Sequence, residues 1–254
     1  MKELRIALVQ MRCEKGEIHN NLNTIEMYIK ESKTKDVNVV CFPEMNITGY
    51  LVPSKFPDKI QNIYCDSIKQ IMEWSKTYNL VIIVGFIEEN PNGRPFITQI
   101  AVKDGNIVCL YRKRTIVDEE ADWFSKGEEL ATFSYRGINI GLAICADIGD
   151  ESIFREYKQL DVDLVFECAA PGLYGSQNTR NWQSGYEWWK SECYKKLGRY
   201  AGENQIYIAV ATQAGRTVDE DFPGGGYFFS SNGNCINETS DWRKGILYGT
   251  LYFR

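Results

Sequence analysis

ATFSYRGINIGLAICADIGDESIFREYKQLDVDLVFECAA, residues 131–170, is the stretch whose reading decides the fold. Residues 131–145 hold two strand-like runs on either side of Arg136-Gly137, a two-residue turn signal, so they read as a pair of strands. Asp150 to Gln159 reads as a short helix, and DVDLVFECAA (161–170) as a buried strand. The second strand of the pair ends on Cys145, and a helix start follows at Asp147–Asp150. Strand, helix and strand in one run of 40 residues point to an α/β layered domain.

The same alternation extends outward in both directions. Towards the N-terminus, LRIALVQM (4–11), VNVVCF (37–42) and NLVIIVGFIEE (79–89) read as strands. Asn20 to Ser32, with Leu22, Ile25, Tyr28 and Ile29 at helical spacing, and Ile60 to Tyr78 read as helices between them. ITQIAVKDGNIVCLYRK reads as a hairpin turning at Asp104-Gly105. Towards the C-terminus, Gln183 to Asn204 reads as a long helix rich in Trp and Tyr, and QIYIAVATQAG (205–215) as a strand. GGGYFFSSNGNCINE reads as a hairpin through Asn232-Gly233, and GILYGTLYF as a last strand. Strands that are apolar throughout are covered on both faces, which predicts mixed sheets with helices outside. No linker or repeat interrupts the pattern, so residues 1–254 are expected to form a single domain.

Composition narrows the function classes. The net charge of −5, with no Lys/Arg block, argues against nucleic acid or an anionic membrane as a partner. The longest apolar runs are far short of the ~20 residues that span a bilayer, and the N-terminus lacks the pattern of a signal peptide; a cytoplasmic protein is expected. The eight cysteines form no CxxC pair, which removes zinc-ribbon and thioredoxin-type readings. His19 is the only histidine, and no GxSxG, GxxxxGK[ST] or HExxH occurs. Acid–base chemistry would therefore fall on Glu, Asp, Lys or Cys, and no metal or cofactor is expected.

In α/β sheets, functional groups collect just past the carboxyl ends of strands. VNVVCF-PE brings Glu44 there, NIVCLYR-K brings Lys113, and INIGLAI-C brings Cys145. A cysteine between a strand and a helix N-terminus would feel the positive helix end, which favours thiolate. Cys41, Cys109 and Cys168 lie inside apolar runs, where a reduced cysteine is a small hydrophobe. A thiol, a carboxylate and an ammonium at one mouth suit nucleophilic acyl chemistry: Glu44 takes the thiol proton, and Lys113 with the backbone N–H of Ala146 holds the oxyanion.

FPEMNITGY (42–50), YRKRTIVDEEADWFSKGE (111–128) and GLAICADIGDE (141–151) resemble, in order and spacing, the Glu, Lys and Cys motifs of the nitrilase superfamily, the carbon–nitrogen hydrolases. LRIALVQM is similar to that family's start, GRYAGENQIYIAVATQAG to its Glu-Asn helix and strand, and GGGYFFSSNGN to its late hairpin. The resemblance implies a four-layer αββα sandwich with mixed β-sheets and a homodimer or higher homo-oligomer. It implies Glu44 as general base, Lys113 as stabiliser and Cys145 as nucleophile. It also implies a further active-site glutamate seven residues past the lysine, where Glu120 stands, with Glu119 as the lesser candidate. After the cysteine the family's Asp is kept as Asp147, while its Arg and Phe-Pro are not. Tyr50, Asp147, Tyr174 and Trp182 are the candidates for lining the substrate pocket, the last two in the aromatic segment 171–196.

The reading is a carbon–nitrogen hydrolase, an amidase cleaving a small non-peptide amide or carbamoyl amide through a Cys145 thioester. A nitrilase, or an acyltransferase passing the acyl group to an amine, would use the same residues. A non-catalytic binding or scaffold protein on this fold is the alternative of another class, and the presence of Glu44, Lys113 and Cys145 together argues against it.

Overall fold

The computed structural model describes residues 2–117 and 119–253. The chain builds two six-stranded mixed sheets. The first contains β1 (Lys2–Gln10), β2 (Val39–Cys41), β3 (Val81–Glu88), β4 (Phe96–Lys103) and β5 (Asn106–Arg112). The second contains β6 (Thr132–Tyr135), β7 (Ile138–Ile144), β8 (Leu164–Ala169) and β9 (Tyr207–Thr212). A short ribbon of β10 (Ala214–Arg216) and β11 (Asp221–Pro223) follows. β12 (Gly226–Phe229) and β13 (Cys235–Glu238) then complete the second sheet, and β14 (Gly245–Phe253) returns to the edge of the first. The orders are β14-β1-β2-β3-β4-β5 and β13-β12-β9-β8-β7-β6. β1, β2 and β3 run parallel, as do β7, β8 and β9, and the hairpin neighbours are antiparallel.

Side-chain alternation makes the four layers. Successive strand residues point to opposite faces. In β1, Leu4, Ile6 and Leu8 pack in the core between the two sheets, while Ala7 and Val9 pack in the core beneath the outer helices. In β8, Leu164, Phe166 and Cys168 face the other sheet, while Val165 and Ala169 face outward. Helices α1 (Ile18–Lys33) and α2 (Asp66–Tyr78) cover the first sheet with Leu22, Ile25, Ile29, Ile68 and Ile71. The short α3 (Glu120–Trp123) lies in the loop after β5. Helices α4 (Glu151–Gln159), α5 (Trp182–Cys193) and α6 (Arg199–Asn204) cover the second sheet with Ile153, Phe154, Trp189 and Tyr200 among others. The observed order is therefore helices, sheet, sheet, helices. Each aliphatic side chain buried in these cores contributes about 1.5–3 kcal/mol, and this fixes the register, because a one-residue slip would turn every apolar face to the wrong side.

Three elements differ from the sequence reading. The second helix starts at Asp66 rather than Ile60, because the backbone of Gln61 pairs with β3 instead: it donates to Ile87 O and accepts from Glu89 N–H. The helix expected over 183–204 is interrupted by a π turn at Tyr194–Gly198, between α5 and α6. There Gly198 lies against the turn of the β12–β13 hairpin, where an added Cβ would sit 3.2 Å from Gly233 O. The helix after Cys145 begins only at Glu151, capped by Asp150, and a five-residue 3₁₀ turn (Cys145–Gly149) precedes it. The hairpins at Asp104-Gly105, Arg136-Gly137 and Asn232-Gly233 are present, and the first two have positive φ at both turn residues, as a type I′ turn needs.

Candidate active site

Glu44, Lys113 and Cys145 meet where β2, β5 and β7 end. Glu44 follows β2 in a loop pinned across β3: Ile47 N–H donates to Gly85 O, and Asn46 Oδ1 accepts from Gly85 N–H at 2.7 Å. Lys113 continues β5, with its N–H donating to Ile97 O and its C=O accepting from Gly127 N–H. Gly127 is required there, because an added Cβ would fall 2.1 Å from Arg112 O. Cys145 takes φ +44° at the β7 exit, and Met45, just after Glu44, takes +46°. An L-residue in this left-handed region costs on the order of 1–2 kcal/mol, and such strain collects where a side chain must be presented.

The centre is a buried ion triad. Lys113 Nζ donates to Glu44 Oε1 at 2.9 Å and to the two carboxyl oxygens of Glu120 at 2.7 and 2.9 Å. All three residues are at most 6% exposed. Glu44 Oε2 accepts from Ala170 N–H at 3.1 Å, just past the end of β8. Glu120 is presented by α3, whose end is closed by Phe124 N–H donating to Glu120 O, and it also accepts from Tyr50 OH. Burial pushes the Glu44 carboxyl up to about 6; the Lys113 ammonium opposes this and Glu120 reinforces it. Burial works against the Lys113 ammonium, yet Glu44 and Glu120 outweigh it and hold its pKa above the ordinary lysine value.

Cys145 is half-buried beside this triad, at the floor of a cleft of about 480 Å³. Burial, then the Glu44 carboxylate, push its thiol well above the ordinary value, and Lys113 only partly offsets them. The strand-end position alone would favour thiolate; the burial and the neighbouring carboxylates seen here work in the opposite direction. A single 3₁₀ turn follows the sulfur instead of an α-helix, so little helix dipole acts on it, while two carboxylates lie close by.

The family model for carbon–nitrogen hydrolases matches residues 5–253. The chain belongs to the carbon–nitrogen hydrolase family. Over 253 residues it is 22% identical to a glutamine-dependent NAD(+) synthetase of Acinetobacter baylyi, a match covering 98% of this chain and 44% of that protein. The chain thus spans less than half the length of that relative. Over 262 residues it is 25% identical to an N-carbamoylputrescine amidase of Oryza sativa subsp. japonica, covering 96% of this chain and 84% of the relative. Among solved structures, an amidase from Nesterenkonia sp. superposes with a TM-score of 0.84 at 21% identity, covering 98% of this chain and 90% of that one, a likeness of fold.

The cleft of this member of the carbon–nitrogen hydrolase family separates the candidate residues. Lys113, Glu120, Cys145, Ala146, Tyr50 and Tyr174 line it, and Glu44 lies directly behind. Glu119 also lines it, exposed and nearer the mouth. Asp147 does not: it is fully buried, accepting from Tyr111 OH, Thr115 N–H and Ile144 N–H at 2.7–2.9 Å. These bonds tie the chain after Lys113 to the chain around Cys145, so Asp147 sets the spacing of the two. Trp182, at the start of α5, does not line the cleft either; Trp188 of the same helix does. Trp123, Leu173 and Glu220 are further lining residues that the sequence reading missed. Trp123 lies in the quoted motif around Glu120, and its aromatic character was the available signal; nothing local marks Glu220. Among the described residues, no group of three or more His, Cys, Asp or Glu side chains is arranged to hold a metal ion.

Proposed function

We propose that this hydrolase is an amidase that cleaves a small non-peptide amide, or a carbamoyl amide, through a thioester on Cys145. The observation that carries the reading is Lys113 Nζ shared between Glu44 and Glu120 beside the Cys145 thiol at the floor of an open cleft. Because burial and the neighbouring carboxylates push the thiol upward, attack needs a base, and Glu44 is adjacent and ionised above about pH 6. Its carboxylate takes the Sγ proton as sulfur bonds to the amide carbon, and the carbonyl electron pair moves onto oxygen. Lys113 and the Ala146 N–H hold that oxyanion. As the oxyanion collapses, the carbon–nitrogen bond breaks and Glu44 gives its proton to the departing ammonia or amine. Water, deprotonated by Glu44, then attacks the thioester, and the sulfur leaves and recovers the proton. The sum is amide plus water to acid plus ammonia or amine. Glu120, held by Tyr50, keeps the ammonium in place between these steps.

The test is Cys145→Ala, assayed for ammonia and acid release over an amide panel, with mass spectrometry of the wild-type protein to find an acyl adduct on Cys145. Near-wild-type release by the variant would overturn the assignment. A nitrilase would release acid and ammonia from nitriles, and an acyltransferase would pass the acyl group to an added amine; product analysis distinguishes both. We further propose a cytoplasmic homo-oligomer, in keeping with the family resemblance; sedimentation would read the assembly. Among the described residues no helix is long and apolar enough to cross a membrane.

A further inference from the structure

The cleft has an uneven charge lining. Among the described residues, Lys113 is the only cationic side chain lining it, and its ammonium is already committed to Glu44 and Glu120. Three carboxylates line the same space: Glu119, Glu120 and Glu220. Glu119 has no ion-pair or hydrogen-bond partner for its carboxylate among the described residues. Glu220 reaches Lys15 Nζ at 2.8 Å, but that ammonium also serves Asp219 at 2.7 Å, so the trio keeps a negative charge. Arg180 and Arg216 are committed elsewhere: both bind the buried Asp221, at 2.8 and 3.1 Å, and neither lines the cleft. Aromatic rings from Trp123, Trp188 and Tyr174 form walls of the same cleft, and the faces of such rings attract cations.

From these observations, and resting on the amidase reading above, we infer that the substrate is an amide whose far end carries a protonated amine, held by Glu119 and Glu220 among the aromatic walls. A ligand with a free carboxylate at that end would enter a negative field and find no uncommitted cation. An amino acid whose amide sits on its side chain would bring its free α-carboxylate with it, so the inference sets this site apart from one built for that class. A neutral alkyl amide would use the aromatic walls and leave the carboxylates to water.

Three amides of equal chain length test this: pentanamide with a terminal amine, hexanamide, and the monoamide of adipic acid. For the wild-type protein kcat/KM is expected to be about tenfold higher for the amine than for hexanamide, a step that corresponds to one well-placed charge contact, and lowest for the acid. Added sodium chloride should lower the value for the amine and raise that for the acid. Glu119→Gln and Glu220→Gln, measured separately, should each reduce the ratio of amine to hexanamide. Equal or better turnover of hexanamide or the acid, or a ratio unmoved in both variants, would overturn the inference. Calorimetric titration of the same three amides into Cys145→Ala separates the two readings. The amine binding best without any wild-type turnover would sink the amidase reading and support the charge preference. Turnover with no charge order would do the reverse.

Discussion

Replacing Lys113 by methionine should convert the centre of the site from an attractive to a repulsive cluster, with a cost that depends on pH. The ammonium lies 2.7–2.9 Å from Glu44 and Glu120, and all three groups are out of water. At an effective dielectric of about 20, one such pair attracts by roughly 5–6 kcal/mol, and desolvation of the ions offsets much of it. Breaking a buried pair by removing one partner costs about 3–5 kcal/mol, because the other charge stays buried without compensation. Methionine fills most of the stem's volume, so packing loss is a small part of the total. The variant can relieve the repulsion by binding a proton. Glu44 already titrates near 6 with the ammonium present, and without it this carboxyl moves higher. The folded variant then binds more protons than its unfolded chain, so its stability falls as pH rises and recovers as pH falls. Urea unfolding of both proteins should give a deficit of about 3–5 kcal/mol at pH 8 that shrinks to about 1–2 kcal/mol at pH 5. A deficit under about 1 kcal/mol at pH 8, or one equal at both pH values, would show that Lys113 is not neutralising a buried pair.

With Glu44 pushed up to about 6 and acting as base, kcat/KM should fall about tenfold per unit below that pH and level off above it; Glu44→Gln should lose the step along with nearly all activity, and a flat wild-type profile down to pH 5 would contradict the role. The raised thiol predicts slow alkylation of Cys145 by iodoacetamide at pH 7 and acceleration with rising pH, followed by peptide mass mapping; fast labelling at pH 7 that does not change up to pH 9 would mean a resident thiolate. Glu167, on the outward face of β8, is fully buried, and neither carboxyl oxygen has a hydrogen-bond partner among the described residues. Burial pushes its pKa well above the ordinary range, so the folded state is penalised as pH rises above the unfolded value. Glu167→Leu should therefore stabilise the protein by about 1–3 kcal/mol, and more at pH 8 than at pH 5; a destabilised variant in urea unfolding would reveal a partner for this carboxyl.

The alternation of apolar runs and helical spacing is a local property, and it carried the fold class, the hairpin turns and the helix faces of α1. Because functional groups collect at strand ends, position along the chain also pointed to Glu44, Lys113 and Cys145 as a group, and the resemblance to the nitrilase superfamily added Glu120. What the sequence could not determine depends on distance across the fold. Whether the Cys145 thiol is ionised is decided by burial and by two carboxylates, 101 and 25 residues away in the chain, that tertiary structure brings beside it. Which tryptophan of α5 faces the cleft follows from helix phase: Tyr186, Trp189 and Cys193 are drawn into the core, which turns Trp188 to the cleft and leaves Trp182 away from it. Asp147 stood among the pocket candidates, as the Asp that the family keeps after the cysteine, yet a strand end and a 3₁₀ turn aim it inward to Tyr111, Thr115 and Ile144. Residue types and strand ends are written in the chain; charge state and the facing of side chains arise only when the two sheets close on one another.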